Sequence, residues 1–188
     1  MDTLIVVFLL ISLFLVIIFV IYSFSIYNRL KSLMNAGDAT LSQVRVAMKK
    51  RLDVIEQLVE SVKSYAKFEQ DTFEKITIMR ASVGRAGIKD LQKIDGVSRG
   101  ILGNIIAVAE NYPALKTSET VTMTMSSIKD IEDEIARHRY TYNNIIQEYN
   151  TMLDTIPSKY VGRSVGMSKK EYLDFWDEEL KRPVVSWG

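Results

Sequence analysis

LIVVFLLISLFLVIIFVIYSFSIYNRL, residues 4–30, is the stretch from which the fold is read. From Leu4 to Ile21 every residue except Ser12 is apolar, and no Gly or Pro separates that run from Tyr27-Asn28-Arg29. At about 1.5 Å per helical residue, the run with Tyr22 and Phe24 covers roughly the 30 Å of a bilayer's hydrocarbon core. The expectation is one transmembrane helix, with Leu4, Phe8, Leu15 and Ile21 in the anchor, that leads without a break into a soluble helical domain.

A cleaved signal peptide fits less well. Such a peptide starts with a basic region, carries a shorter apolar core and ends in small residues of the A-x-A type. Here Asp2 is the only charged side chain before the span, and Tyr22-Ser23-Phe24-Ser25 lacks the paired small residues. Short flanks rich in Lys and Arg stay in the cytoplasm. Arg29 and Lys31, then Arg45, Lys49, Lys50 and Arg51, follow the span and nothing basic precedes it. The chain therefore reads as a single-pass protein of the cell membrane, N-terminus outside and main domain cytoplasmic.

Composition narrows the class. Lys and Arg total 24 against 23 Asp and Glu, so no large field draws in nucleic acid or an acidic substrate. The absence of Cys removes disulfides, thiolate nucleophiles and zinc-thiolate sites together. The three prolines, Pro113, Pro157 and Pro183, all lie in the second half, and no alternating run bracketed by turn residues calls for a sheet. The fold class is all-α: an anchor over 1–26, an antiparallel bundle of about four long helices over 27–160, and a C-terminal amphipathic helix with its tail over 161–188.

Outward from the anchor, apolar or small residues recur at Tyr27, Leu30, Met34, Gly37, Leu41, Val44, Met48, Leu52, Ile55, Val59, Val62 and Ala66. Gaps of three and four keep one helix face apolar, as the seam of an intramolecular bundle or of a coiled coil between chains. The bundle is favoured because the helices that follow need something to pack on. The pattern continues through Phe68, Phe73, Ile76 and Met79 and fades by Gly84 and Gly87; Lys89 to Asp95 is left without an assignment.

A further helix is expected from Gly96 to Asn111, with Val97, Ile101, Ile105, Val108 and Tyr112 on one side, ended by Pro113. Gly96, Gly100 and Gly103 suggest a phosphate loop only superficially. No strand precedes them and no Lys-Ser or Lys-Thr pair follows, so a small-residue face for close helix packing is the expectation. The next stripe runs Val121, Met125, Ile128, Ile131, Ile135, His138, Tyr142, Ile145, Tyr149, Met152 and Ile156 before Pro157. His138 is the single histidine and has no partner for a metal site, so a satisfied hydrogen bond at the seam is expected. Tyr142-Asn143 and Tyr149-Asn150 are seven residues apart and share a face, where each ring packs and each hydroxyl reaches a carbonyl or water.

Lys159 to Gly166 reads as loop, and Ser168-Lys169-Lys170-Glu171 as a capping box that opens a short helix. Tyr172, Phe175 and Trp176 on that helix are the candidate interaction residues, for docking on the chain's own bundle, another subunit or lipid. Pro183 to Trp187 reads as an extended tail.

Several segments together resemble a known family. Tyr27-Asn28-Arg29-Leu30, Lys50-Arg51-Leu52-Asp53 and Leu58 to Lys67 look like the first-helix signature of LemA family proteins; Ala107 to Lys116 is similar to the second signature. Glu132-Asp133, Ile135-Ala136 and the two Tyr-Asn pairs match the third. The family pattern usually carries a proline where this chain has Glu56, and a hydrophobic Gly-Phe stretch where Gly162 to Met167 is more polar. The resemblance implies a membrane-anchored antiparallel helical bundle and no established enzymatic activity.

No catalytic, cofactor-binding or metal constellation stands out in the residues. Carboxylates such as Glu132 and Glu134 are present, but a di-iron bundle site needs Glu-x-x-His from two helices, which one histidine cannot supply. The expected function is therefore a non-enzymatic scaffold or adaptor at the membrane surface, without cofactor or small-molecule substrate. Its expected partners are the bilayer and either an unidentified protein or copies of itself, and the alternative function is a homo-oligomer that organises membrane.

Overall fold

The computed structural model describes residues 2–63, 70–116 and 118–174. Among these the chain is all-α: α1 (Asp2–Val62), α2 (Gln70–Val83), α3 (Ile88–Asn111), α4 (Pro113–Lys116), α5 (Glu119–Asp154) and α6 (Ser158–Ser164). Two compact units form, one from residues 2–38 with 144–171, the other from 39–143 with 172–174. Both α1 and α5 pass through the two units without interruption.

In the first unit the character of α1 changes within one turn. Its large apolar side chains from Leu4 to Ile21 are 44–75% exposed, Phe24 is 64% exposed, and Ile26 is the first to be buried. Beyond it Leu30 and Leu33 pack with Tyr149 and Leu153 of α5, with Val161 of α6 and Met167 alongside. This small core needs close approach of α6. A Cβ on Gly162 would stand 2.4 Å from Leu153 Cδ2 and 3.7 Å from Leu30 Cδ1, so no larger residue fits without movement. The chain leaves α6 through Gly166, whose φ of 71° an L side chain rarely adopts. Sequence reading assigned Lys159 to Gly166 to a loop. Ser158–Ser164 is instead helical, too short for periodicity to be recognised.

The second unit buries Leu41, Val44, Met48, Leu52, Ile55, Val59 and Val62 of α1, as the stripe anticipated. The apolar pattern that ran on past Val62 belongs to two helices, not one: Arg80 of α2 pairs with Asp53 and Glu56, so α2 returns alongside α1. Glu56, at the position where the family pattern has proline, is thus a helix-interior ion-pair partner. Arg45 closes the α2–α3 turn by donating from Nε to the Ala86 carbonyl at 3.0 Å. Phe68 and Ala66 lie outside the described residues.

Helix α3 starts eight residues before the expected Gly96, at Ile88, with the Gly87 amide donating to Asp90 at 3.3 Å. Its buried face is Leu91, Ile94, Asp95, Ser98, Ile101, Ile105 and Ala109. The first two turns, Ile88 to Asp95, are polar apart from Ile88, Leu91 and Ile94, and Asp95 takes a core position, which is why an apolar count missed them. Val97 and Tyr112, placed on the core side by the sequence, are exposed. The small-residue packing face is also corrected: at Gly96, Gly100 and Gly103 nothing lies within 4 Å of where a Cβ would stand. Pro113 is the first residue of α4, a position where its missing N–H costs nothing. In α5, Val121, Ile128, Ile135, Tyr142 and Tyr149 are buried, whereas Ile156, expected to continue this stripe, lies beyond the helix end and is 73% exposed.

Candidate functional site

Three features of the described residues are candidates for function. The first is a buried ion network in the second unit. Arg51 stands in the heptad register of the α1 core, between Met48 and Ile55, and is 1% exposed. A guanidinium placed there must be paired to remain charged at tolerable cost. Its Nη1 donates to Asp95 Oδ1 at 2.8 Å and Glu132 Oε1 at 2.9 Å, and its Nη2 to Ser98 Oγ at 2.6 Å. The Ser98 hydroxyl in turn donates to the Ile94 carbonyl at 2.7 Å. Arg99 completes the set, with Nε 3.0 Å from Asp95 Oδ2 and Nη2 3.2 Å from Glu132 Oε2. Two cations thus meet two carboxylates, and α1, α3 and α5 are joined.

Both candidate carboxylates are engaged in ion pairs. Glu132 is held between Arg51 and Arg99. Glu134 accepts from Lys50 Nζ at 3.1 Å, and its Oε1 lies 3.7 Å from His138 Nε2. The histidine is half-buried beside a carboxylate one turn away, too distant for the hydrogen bond expected of it. No group of three His, Asp or Glu among the described residues could hold a metal ion.

The second feature is a pair of asparagine clamps. In the first unit, Asn150 Nδ2 donates to the Lys170 carbonyl at 2.9 Å while the Lys170 amide donates to Asn150 Oδ1 at 3.0 Å. In the second unit, Asn143 treats Leu173 identically, at 3.1 Å and 2.8 Å. A side-chain amide has one donor edge and one acceptor edge, which is the pattern a strand edge presents. The Tyr149 hydroxyl adds a bond to the Ser168 carbonyl at 3.1 Å, as the tyrosine reading anticipated. Burial, and secondarily the Asp38 carboxylate, hold the Tyr149 phenol above its ordinary value of 10.0.

These clamps overturn the helix expected to open at Ser168. Residues 167–174 are not helical. The amides and carbonyls of Lys170 and Leu173 are committed to asparagines and cannot join an i to i−4 ladder. Of the candidate interaction residues, Tyr172 is 41% exposed beside the fully buried Leu173, and Phe175 and Trp176 lie outside the described residues. The sequence reading saw the tyrosines of the two pairs and overlooked the asparagines. Their repeat at a core-facing spacing was the available signal, as a charge in heptad register was for Arg51.

The third feature is the anchor. Leu4 is 75%, Phe8 71%, Leu15 58% and Ile21 64% exposed. This is the one helix among the described residues long and apolar enough to cross a membrane. Beside its C-terminal end the first unit forms an open cleft of about 790 Å³, lined on α1 by residues from Phe19 to Met34.

Magnetosome protein MamQ of Magnetospirillum gryphiswaldense is 24% identical over 173 residues, covering 78% of this chain and 64% of that protein. Magnetosome protein MamQ 2 of Paramagnetospirillum magneticum has the same identity and coverage. Protein LemA of Metamycoplasma hominis is 26% identical over 142 residues, covering 74% of this chain and 65% of that protein. The chain therefore spans just under two thirds of the length of these relatives. The segments that met in the ion network, around Arg51 and Glu132, are among those that carried the family resemblance. A model of the LemA family matches residues 40–187, and the chain belongs to that family.

Proposed function

We propose that this protein is a membrane-anchored, non-enzymatic scaffold that presents its helical units beside the bilayer to a protein partner. The observation that carries the reading is the course of α1, whose large apolar side chains are exposed from Leu4 to Phe24 and supply a buried stripe that begins at Ile26, within one uninterrupted helix. Exposed apolar surface of that extent supports a lipid surrounding. Because the helix does not break, the orientation of the first unit is tied to the anchor. The basic residues after the span support a reading with the N-terminus outside and the units in the cytoplasm. Catalysis has little support, since the carboxylates near His138 and Arg51 are engaged in ion pairs.

The test is in-cell crosslinking of the full chain followed by purification in mild detergent, with its mass measured by light scattering. A reproducible heterologous protein on a monomeric chain supports the scaffold. A large, defined assembly of this chain alone would replace it with the homo-oligomeric, membrane-organising reading.

A further inference from the structure

The cleft beside the anchor joins two kinds of surface. Phe19, Val20 and Phe24 of α1, with Val161 and Met167 opposite them, supply apolar lining, while Lys31, Ser168 and Lys170 supply polar lining. All belong to the first unit. Phe24 is 64% exposed and Phe19 66%, so the apolar part is open on the face that the anchor turns to lipid.

The register of α1 fixes the depth of each part. If the hydrocarbon core of about 30 Å is filled by Leu4 to Ser23, then Phe19, Val20 and Ser23 lie in its last turn and Lys31 lies about 12 Å further on. Helical side chains lean toward the N-terminus, and a lysine stem lies along apolar surface while its ammonium seeks polar partners. The Lys31 ammonium therefore falls at headgroup level. Among the described residues Lys31 has no ion-pair partner, and Lys170 Nζ is 3.5 Å from Asp38 Oδ1 with both side chains substantially exposed. Tyr27, half-buried in the same cleft, stands where aromatic rings gather at membrane interfaces.

From these observations we propose that the cleft is a binding site for one anionic phospholipid of the adjoining leaflet. An acyl chain lies against Phe19, Val20 and Phe24, and the phosphate meets Lys31 and the Ser168 hydroxyl, while Lys170 stays with Asp38. The volume is within the range of formed ligand sites, and the apolar majority with a few convergent polar groups is their usual lining. The site rests on the membrane reading of the anchor, and it adds what that reading lacks: a reason for the units to prefer one lipid over another.

The experiment uses the full chain in mild detergent, with native mass spectrometry after addition of equal phosphatidylglycerol and phosphatidylcholine. One phosphatidylglycerol retained in preference to phosphatidylcholine is expected. Lys31→Gln should lower that preference about fivefold, the usual effect of one cation at an anionic surface. Val165→Trp, which fills the cleft, should lower retention of both lipids. Lys129→Gln, in the other unit, should change neither. Equal retention of the two lipids, or a Lys31→Gln effect no larger than that of Lys129→Gln, would overturn the site. Full displacement by glycerol 3-phosphate would overturn it as well, since a free phosphate would then suffice. Alkaline carbonate extraction separates the two readings: a protein that washes off membranes refutes the anchor, and one that stays embedded without lipid preference refutes only the cleft.

Discussion

Replacing Arg51 with Met and Asp95 with Leu, singly and together, tests the buried network that joins α1, α3 and α5. Arg51→Met leaves Asp95, 2% exposed, without its 2.8 Å partner but still bonded to Arg99 at 3.0 Å. Breaking a buried pair costs about 3–5 kcal/mol when nothing compensates the remaining charge, and the retained Arg99 puts this case at about 3. Asp95→Leu leaves Arg51 with Glu132 at 2.9 Å and Ser98 at 2.6 Å, again about 3 kcal/mol. The two single losses would add to about 6 kcal/mol if independent. In the double variant no uncompensated buried charge remains, because Arg99 and Glu132 still pair, so the expected loss is about 3 kcal/mol with a coupling of about 3. At about 2–4 °C per kcal/mol, each single variant should melt roughly 6–12 °C lower, and the double variant no lower than the singles. The assay is thermal loss of far-ultraviolet circular dichroism on the full chain in detergent. Melting of the double variant at the sum of the two shifts would refute the shared network.

Further expectations concern the first unit and the clamps. Asn150→Ala removes both bonds to Lys170 and should raise the rate of tryptic cleavage at Lys169 and Lys170 about tenfold, from a loss near 1–3 kcal/mol; an unchanged rate would mean that the clamp does not hold the segment. Gly162→Ala forces Leu153 aside and should cost about 1–3 kcal/mol, partly recovered by Leu153→Val; a neutral substitution in thermal melts would contradict the close approach of α6. Because the Tyr149 phenol is raised by burial and by Asp38, folding favours its neutral form. That contribution is complete below pH 10 and is lost as pH rises through the raised folded value. The difference in tyrosinate absorbance between the parent and Tyr149→Phe should therefore show a phenol titrating above the ordinary range, and a step at or below pH 10 would count against it.

The sequence by itself determined the helical class, the anchor and the α1 and α5 stripes. These follow from hydropathy and periodicity, which are properties of neighbours along the chain. The stripe positions Leu41, Val44, Met48, Leu52, Ile55, Val59 and Val62 read as core from spacing alone, and they are buried. Tertiary structure decided what depends on partners distant in sequence. The apolar stripe past Val62 belongs to a second helix, α2, whose Arg80 pairs with Asp53 and Glu56 of α1. The first turns of α3 are polar except for the buried Leu91 and Ile94, and a core position there is taken by Asp95, which makes sense only once Arg51 faces it. Residues from Ser168 carry local capping chemistry for a helix, yet they are held out of one by Asn143 and Asn150. Seven helical residues advance about 10.5 Å and three residues of chain reach about 10–11 Å, so the spacing of the two asparagines is commensurate with that of Lys170 and Leu173. A local signal worth about 1 kcal/mol yields to two bidentate pairs and the burial of Leu173, and neither can be seen until the chain has folded back on itself.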